Sequence, residues 1–452
     1  MDLPQIEQLI AEREIEVVKV GGADMDGIFC GKRILASHFL EGCRGGGFPQ
    51  CDVIFGWDIQ QRLIDGLAIG SAKTGFADIQ MRPDLSTFRI VPWEDRAATV
   101  ICDYAHEDGR PVEIAPRRVL RRVVERAESA GYRPRMAVEL EIRLFREDQE
   151  SLRAKGYRAL RPLSPGLNCY SIPHATMDED VVGRIRKLMI DFGLPVEGYN
   201  REHGEGMYEI NLHYADALNA ADDALLYRSG TKEIAAQVGI VPTFMAKYDD
   251  QLDGCSGHVH QSLWSTNGEQ NLFWNPDAPH HASEEMRAYA AGVLATLPEF
   301  MLMYAPNVNS YKRFVAGSWA PTSVTWGFDN RTTALRFITG SRTAARIENR
   351  VPGADVNGYL GFAASLAGGL YGLEQGLTCP PPVEGDAYSA TEAPALPRSL
   401  LEAVERFSAS DLAREYFGSE FVEHYVRMRQ WEAEAFQRAV TDWERQRYFE
   451  QV

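Results

Sequence analysis

Residues Ala137–Phe145 read AVELEIRLF, an alternation of apolar and polar residues that is typical of a β-strand. Residues two apart in a strand point to the same side, so Glu139 and Glu141 share one face. Taken alone, two glutamates on one strand face are typical of a solvent-exposed surface. Three further stretches of the chain repeat this design and favour a different interpretation.

These three stretches are Met207–His213 (MYEINLH), Gly257–Leu263 (GHVHQSL) and Arg346–Val351 (RIENRV). Their polar faces carry Glu209, Asn211 and His213, then His258, His260 and Ser262, then Arg346, Glu348 and Arg350. An antiparallel sheet with one face on the core and the other lining a wet, charged cavity would produce this pattern. The sequence therefore predicts a cavity that binds cations and anionic substrates.

The bulk composition excludes several classes of protein. The chain has 452 residues, 45% of them hydrophobic and 25% charged, which is typical of a globular protein with two domains. A net charge of -17 argues against a nucleic-acid partner, because the phosphates would be repelled. The seven cysteines include no CxxC pair, which favours a reducing compartment and argues against a zinc site. With no leader pattern after Met1 and no run of about 18 apolar residues, we expect a cytoplasmic protein without a membrane partner.

A turn cluster at His106–Pro111 divides the chain into a small mixed unit, residues 1–108, and a larger unit, residues 109–452. All four polar-faced stretches fall in the larger unit. In the small unit we predict a glycine-rich loop at Glu41–Gln50 and a strand at Asp52–Trp57. Helices are predicted at Pro116–Gly131, Asp178–Phe192, Ala220–Gly239, Ser283–Leu297 and Leu360–Gly376. A sheet covered by helices on one side indicates an α+β fold.

Five carboxylates and one imidazole are candidate ligands for divalent cations: Glu139, Glu141, Glu202, Glu209, Glu348 and His258. Gathered in one cavity, these groups would repel one another strongly unless cations lay among them. Oxygen-rich ligand sets suit Mg²⁺ or Mn²⁺ rather than zinc. The spacing of the residues leaves their convergence as a hypothesis.

A set of arginines shares segments with the acidic strands: Arg313, Arg331, Arg336, Arg346 and Arg350. Surface arginines are ordinarily solvated, but guanidiniums beside metal-binding acids favour neutralisation of a transferring phosphoryl group. No GxxxxGK[ST] or GxGxxG loop occurs, so side chains and metals would have to hold a nucleotide. His258 and His260 follow the glycine-rich stretch DGCSG, which favours a functional role for the pair.

Over nearly its whole length the chain resembles the prokaryotic-type (class I) glutamine synthetases and their relatives, the γ-glutamyl-amine ligases. The resemblance is carried by AVELEIRLF, the Glu202/Glu209 pair, MAKYDDQLDGCSGHVHQSL, APNVNSYKRF, NRTTALRF and ARIENRVPGADVNGYLGFAASLAGGL. It implies a small N-terminal β-grasp domain at residues 1–108. It also implies a catalytic domain at residues 109–452, with a curved antiparallel sheet backed by helices. The implied assembly is a dodecamer of two stacked hexamers, with each active site shared between neighbouring subunits.

The resemblance also implies the chemistry. ATP would phosphorylate the γ-carboxylate of L-glutamate, and an amine would then displace phosphate, with two or three Mg²⁺ or Mn²⁺ ions at each site. One ion would be held by Glu141, Glu202 and Glu209, and another by Glu139, His258 and Glu348. Arg313, Arg350 and Gly254 would contact glutamate; Arg331, Arg336, Arg346, His260 and Ser262 would contact ATP; Arg313, Arg350, Arg331 and Asp58 would take part in catalysis.

The chain departs from the glutamine synthetases where the amine would bind. Their pattern PGxEAP after NSYKR carries a glutamate that closes the pocket over ammonium, whereas the matching position here is Trp319. An indole cannot accept a proton or pair with a cation as a carboxylate does. The loop that would supply an acid from the neighbouring subunit reads IFGWDIQQ, where Asp58 is the candidate, and Asp253 stands where asparagine is usual. Tyr170, Trp319, Asp58 and Glu202 are the predicted amine pocket.

A pocket that loses a carboxylate and gains aromatic surface should bind a larger, partly apolar amine better than ammonium. The sequence thus favours a γ-glutamyl-amide ligase that acts on an organic monoamine, with polyamines less favoured. One alternative is an ordinary glutamine synthetase that uses ammonium, in which Trp319 faces outward. The other, from a different class, is a catalytically inactive structural or regulatory assembly, against which the complete set of metal-ligand residues argues.

Overall fold

The computed structural model describes residues 1–452. The strands are β1 (Val17–Ala23), β2 (Phe29–Leu35), β3 (Phe48–Cys51), β4 (Asp78–Pro83), β5 (Arg89–Ile90), β6 (Ala97–Ala105), β7 (Tyr132–Phe145), β8 (Val196–Arg201), β9 (Met207–Leu212), β10 (Ala215–Asp216), β11 (Val241–Thr243), β12 (Gly257–Ser265), β13 (Trp326–Phe328), β14 (Leu335–Ile338) and β15 (Arg346–Asn349). The helices are α1 (Leu3–Glu12), α2 (Ala36–Gly45), α3 (Pro116–Ser129), α4 (Gln149–Ala154), α5 (Ile172–Met177), α6 (Val182–Asp191), α7 (Ala217–Ala236), α8 (Glu284–Tyr304), α9 (Gly358–Glu374), α10 (Leu400–Ala409), α11 (Asp411–Phe417), α12 (Ser419–Arg438) and α13 (Asp442–Tyr448). No helix combines the length and the apolarity that crossing a membrane would require.

The first 105 residues contribute a six-stranded sheet in the order β2-β1-β6-β4-β3, with β5 paired to β6. Only β1 and β6 run parallel in this sheet; the other pairs are antiparallel. Two predictions in this unit are wrong. The stretch Glu41–Gln50 is the end of α2 and the start of β3 rather than a loop, and Asp52–Phe55 is a 3₁₀ turn rather than a strand.

Both corrections have local causes. Gly46 has φ 95°, the left-handed conformation that ends a helix, so one of the glycines that indicated a loop is the C-cap of α2. Asp52 is buried and its Oδ2 accepts hydrogen bonds from Gly70 N at 3.0 Å and Thr74 Oγ1 at 2.8 Å. These bonds tie the segment to a distant loop instead of a neighbouring strand.

The four polar-faced stretches lie in one nine-stranded sheet of the order β13-β14-β15-β12-β7-β9-β8, with β10 and β11 also paired to β7. The pairs are antiparallel except β13 with β14. The register sets the polar faces opposite one another: Glu139 faces His258, Glu141 faces Glu209, and His260 faces Glu348. The predicted α+β fold, with helices behind an antiparallel sheet, is confirmed.

Helices α3, α7 and α9 pack on the apolar side of β7, and α8 packs on α9. The α8–α9 contact is close because both helices carry glycines where they cross. A Cβ on Gly292 would lie 2.1 Å from the Gly368 carbonyl oxygen, which no side chain allows. Helix α8 continues through Pro298 to Tyr304, seven residues beyond its predicted end at Leu297. This rigid backing leaves the opposite face of the sheet free to form the site.

Candidate active site

The first acidic group joins Glu141 on β7, Glu209 on β9 and Glu202, which follows β8. One carboxylate oxygen from each lies within 4.8 Å of the others. Asn200 Nδ2 donates to Glu202 Oε1 at 2.6 Å, and Asn211 Nδ2 donates to Glu209 Oε1 at 2.7 Å. These amides orient two of the three carboxylates toward one point.

The pKa values of this group show the strain of three acids in one place. Burial, and next the charge of Glu141, raises the pKa of Glu202 to about 7 from an ordinary 4.5. Burial, and next the charge of Glu139, raises the pKa of Glu209 well above 4.5. Glu202 and Glu209 thus take up protons more readily than ordinary carboxylates, and a divalent ion would relieve the repulsion among the three acids. The group therefore fits a hard cation.

The second group contains Glu139, Glu348 and both histidines of β12. Oxygens of Glu139 and Glu348 and a nitrogen of His260 lie within 4.8 Å of one another. His258 Nδ1 is also close, 3.2 Å from Glu348 Oε1 and 3.7 Å from Glu139 Oε2. His260 Nε2 lies 3.0 Å from Glu139 Oε1, yet this buried nitrogen makes no hydrogen bond. A buried ring nitrogen without a hydrogen-bond partner fits a metal ligand or a phosphate contact.

The sequence assigned His258 to the metal and His260 to the phosphates of ATP. The structure brings both histidines to the same two carboxylates, so this division of roles stays a prediction. Burial would raise the pKa of Glu139, but the charge of His260 and the proximity of His258 outweigh the effect of burial and lower that pKa. Glu348 likewise keeps a lowered pKa despite its burial, because Arg350 lies beside it. Glu139 and Glu348 therefore ionise more readily than Glu202 and Glu209.

Three of the predicted arginines surround this second group. Arg350 Nη1 donates to Glu348 Oε1 at 2.6 Å, and Arg336 Nη1 donates to Glu348 Oε2 at 3.0 Å. Arg346 Nε donates to His260 Nδ1 at 2.9 Å. Arg336 Nε also donates to Asp329 Oδ1 at 2.9 Å, so carboxylates on two sides hold this guanidinium. Guanidiniums fixed in this way are suited to contact an incoming phosphate.

Arg313 lies deeper, beside the loop that precedes β12. It is buried, and it donates to the carbonyl oxygens of Val351 at 3.0 Å and Arg350 at 3.2 Å. Its burial lowers its pKa to about 10, which leaves it charged at neutral pH. A Cβ on Gly254 would lie 2.8 Å from Arg313 Cγ and 2.5 Å from the Ala246 carbonyl oxygen, so only glycine fits there.

A groove of about 490 Å³ begins at Glu139 and is lined by residues of the neighbouring strands β7 and β12. Its walls include Tyr214, Arg346 and Ser262, the last of which accepts a hydrogen bond from Trp264 Nε1 at 3.0 Å. Arg135 also lines the groove, and its guanidinium lies 4.2 Å from the ring centroid of Trp264, a cation–π contact that stabilises its position. The sequence predicted Ser262 and Arg346 here but missed Arg135 and Tyr214, which no motif singles out.

The predicted amine pocket is only partly assembled in one chain. Tyr170 N donates to the carbonyl oxygen of Arg201 at 3.1 Å, beside Glu202, and the charge of Glu202 raises the pKa of Tyr170. Trp319 and Arg331 line a second groove of about 570 Å³. Asp58 Oδ1 accepts hydrogen bonds from Gln60 N at 2.9 Å and Arg62 N at 2.8 Å, inside its own loop. A role for Asp58 in a neighbouring site stays a prediction.

The sequence analysis gave no role to Arg143 or His203, which lie behind the first group, and it noted Asp253 without its partner. Arg143 is buried on the same face of β7 as Glu139 and Glu141. It lies within the stretch AVELEIRLF, but the sequence pattern was interpreted only for the two glutamates. His203 Nδ1 lies 2.6 Å from Asp253 Oδ2, and these two residues come from separate loops. Alternation could have indicated Arg143; nothing local could have indicated the His203–Asp253 pair.

Two acidic groups on one antiparallel sheet, the second flanked by arginines, fit an enzyme that handles phosphates with the help of divalent metals. The sequence profile of the family described as glutamine synthetase, catalytic domain, matches residues 113–448, and the chain belongs to this family. The family prediction and the ligase class are thereby confirmed. The glutamine synthetase family uses ATP and divalent metal ions.

Several curated proteins are similar to the chain over nearly its whole length. A glutamate–isopropylamine ligase of a Pseudomonas species is 42% identical over 99% of this chain and 97% of its own. A γ-glutamylethanolamide synthetase of Streptomyces coelicolor is 41% identical over 100% of this chain and 96% of its own. A type-1 glutamine synthetase of Dictyostelium discoideum is 42% identical over 96% of this chain and 83% of its own. The branch of γ-glutamyl-amine ligases recognised in the sequence is therefore well represented among its relatives.

Solved structures agree with the fold. A structure described as the GmaS/ADP complex superposes with a TM-score of 0.86 at 28% sequence identity, covering 99% of both chains. The predicted glutamine synthetase fold is therefore confirmed.

Proposed function

We propose that the protein is an ATP-dependent ligase that joins L-glutamate to an organic monoamine and forms a γ-glutamyl amide. The observation that carries this proposal is the order of three features along one sheet. The groove lined by Tyr214 and Ser262 leads to the two acidic groups, and beyond them lie Gly254 and Arg313. This order fits a nucleotide, then metals, then glutamate.

Two or three Mg²⁺ or Mn²⁺ ions would complete the site. Glu141, Glu202 and Glu209 would hold one, and Glu139, Glu348 and a histidine of β12 another. The ring nitrogen of His260 that makes no hydrogen bond and the raised pKa of Glu202 among its neighbouring acids support this fit. When bound, such ions would neutralise charge on the phosphates of ATP and on the acyl phosphate.

The reaction would have two transfers. An oxygen of the glutamate γ-carboxylate attacks the γ-phosphorus of ATP, an O–P bond forms, and ADP leaves. The neutral amine nitrogen then attacks the γ-carbonyl carbon; a C–N bond forms, the C–O bond breaks, and phosphate departs with the proton that the nitrogen loses. Arg350, Arg313 and Arg336 would offset charge on the transferring group, so the protein contributes mainly position and electrostatic stabilisation.

The choice of an organic amine rests on Trp319. Its residue is 55% exposed and shares a groove with Phe328 and Arg331, so aromatic surface stands where ammonium-using relatives carry a carboxylate. Apolar surface favours an alkyl or hydroxyalkyl group on the amine, and it lacks the carboxylate that would pair with ammonium and accept its proton. An isopropylamine or ethanolamine substrate, as named for two relatives, is consistent with this surface.

Two alternatives give different results in one assay. An ammonium-using glutamine synthetase is favoured by the similarity to the Dictyostelium enzyme, and an inactive assembly would release no phosphate at all. Glutamate-dependent phosphate release from ATP is measured with Mg²⁺ and one of four amines: isopropylamine, ethanolamine, putrescine or ammonium. Products are identified by mass. We expect kcat/KM for a monoamine to exceed that for ammonium by at least about tenfold; a wide margin for ammonium would reject the proposed substrate.

We also propose the wider setting that the family resemblance implies. The chain would comprise a β-grasp domain at residues 1–108 and a catalytic domain at residues 109–452. It would assemble as a cytoplasmic dodecamer of two stacked hexamers, in which Asp58 reaches the site of a neighbouring subunit. Light scattering of the purified protein tests the assembly, and a monomer with full activity would reject the shared site.

A further inference from the structure

Arg143 is an arginine buried without a carboxylate. It is 1% exposed on β7, two residues beyond Glu141 on the same face of the strand. Its guanidinium donates to two backbone carbonyl oxygens, those of Asp253 at 2.6 Å and Glu205 at 3.1 Å, and its Nε has no partner. Burying a guanidinium without an acid is costly for stability. Its two contacts therefore indicate that Arg143 positions the two backbone segments whose carbonyl oxygens it binds.

These two contacts join two separate loops of the candidate site. Residues 202–206 follow β8 and include Glu202, and residues 252–255 precede β12 and include Gly254. The first loop approaches Arg143 closely only because it carries a glycine. A Cβ on Gly204 would lie 2.7 Å from both Nη1 and Nη2 of Arg143.

A second link joins the same two loops nearer to solvent. His203 Nδ1 and Asp253 Oδ2 lie 2.6 Å apart, with the side chains 51% and 27% exposed. Asp253 is thus held from two sides, its carbonyl by Arg143 from below and its carboxylate by His203 from the surface. The next residue, Gly254, is wedged against Arg313 Cγ. Together the three contacts leave the turn at residues 253–254 little freedom.

We propose that Arg143 is a positioning residue that, with the His203–Asp253 pair, fixes the glutamate-binding turn against the loop that carries Glu202. The inference rests on the proposed function, in which Gly254 and Arg313 receive glutamate. ATP would lie at the other end of the site, along the groove lined by Tyr214. Loosening the two links should therefore weaken glutamate binding and leave ATP binding nearly unchanged. Small displacements at a reacting centre have large kinetic effects.

The experiment uses the full chain with four variants. Arg143→Lys keeps the charge but reaches one carbonyl, and Arg143→Gln removes the charge. His203→Ala breaks the outer link at an exposed position, so it tests the idea even if Arg143→Gln does not fold. Arg146→Lys is the matched control: Arg146 lies just beyond the same strand and donates to one carbonyl, that of Leu163 at 3.1 Å. Hydrogen exchange of segments 202–206 and 252–255 is measured by mass spectrometry, together with KM for glutamate and for ATP.

We expect hydrogen exchange in both segments to be faster than in the wild type for Arg143→Lys and His203→Ala. The control Arg146→Lys should exchange at the wild-type rate. KM for glutamate should rise about tenfold or more, with a larger rise for Arg143→Gln than for Arg143→Lys, while KM for ATP changes less than about twofold. Unchanged exchange at 252–255, or equal rises in both KM values, would overturn the proposal. If the wild type shows no glutamate-dependent turnover, the proposed function fails, and the exchange data alone still decide whether the links fix the turn.

Discussion

The backbone carbonyl of Trp319 accepts a hydrogen bond from Arg350 Nη2 at 3.3 Å. Trp319 also has φ 62°, in the left-handed region that a bulky residue rarely adopts. The arginine that pairs with Glu348 therefore also holds the main chain at the position where the amine would enter. The backbone is fixed and the indole projects into the groove, so the side chain at this position can change without moving Arg350.

This arrangement makes Trp319→Glu the direct test of amine choice. A carboxylate at this position would pair with ammonium and accept its proton, and it would oppose an alkyl group. We expect the ratio of kcat/KM for ammonium to that for isopropylamine to rise by about 10–100-fold. Trp319→Phe is the control, since it keeps an aromatic surface and should preserve the preference of the wild type. If both variants keep the wild-type ratio, the indole does not contact the amine.

The first acidic group supplies a second prediction. Glu209→Gln keeps the size of the side chain but removes the negative charge that a divalent ion needs. We expect glutamate-dependent phosphate release to fall on the order of 100-fold and Mn²⁺ binding by calorimetry to weaken. Glu205→Gln is the matched control, because its carboxylate lies in the neighbouring loop and accepts from Gly166 N at 3.2 Å. Equal losses in the two variants would show that the cluster binds no ion.

Alternation along single strands was sufficient to predict the polar faces, because side-chain direction in a strand has a fixed period of two. It correctly placed Glu139 and Glu141 on the face that the cavity occupies. It could not predict the register that sets Glu141 opposite Glu209, since register depends on contacts between distant segments. For the same reason the His203–Asp253 pair was missed.

The local errors have a different origin. The glycines around Gly46 indicated a loop, because a helix that ends on a left-handed glycine and a glycine-rich loop share the same composition. Pro298 favoured an earlier end for α8, but the buried surface against α9 carries the helix on to Tyr304. In both cases tertiary packing decided what composition left open.

His258 and His260 can be separated by substitution, although both lie near Glu139 and Glu348. If the roles predicted from the sequence hold, His258→Ala should weaken Mn²⁺ binding by about 10–100-fold. His260→Ala should instead raise KM for ATP, because Arg346 would lose the imidazole that orients it. Calorimetry with Mn²⁺ measures the first quantity, and the dependence of phosphate release on ATP concentration measures the second. The reverse pattern would assign His260 to the metal, the histidine that lies closer to Glu139.

The raised pKa of Glu202 predicts how stability responds to pH. Its pKa is about 7 in the folded chain, against an ordinary 4.5, so between these pH values the folded state binds more protons than the unfolded state. Stability of the metal-free protein should therefore fall as pH rises through this window, and Glu209 acts in the same direction. Mg²⁺ replaces the protons, so the rise in Tm that it causes should grow from about pH 5 to pH 8.

Melting curves in EDTA and in Mg²⁺ across that range measure both effects. Glu202→Gln removes the titrating group, so the decline of Tm with pH in EDTA should flatten, and the gain from Mg²⁺ should shrink. Glu205→Gln should retain the slope of the wild type. If Glu202→Gln leaves the dependence of the metal-free Tm on pH unchanged, Glu202 binds no extra proton in the folded state, and the three acids are not in contact.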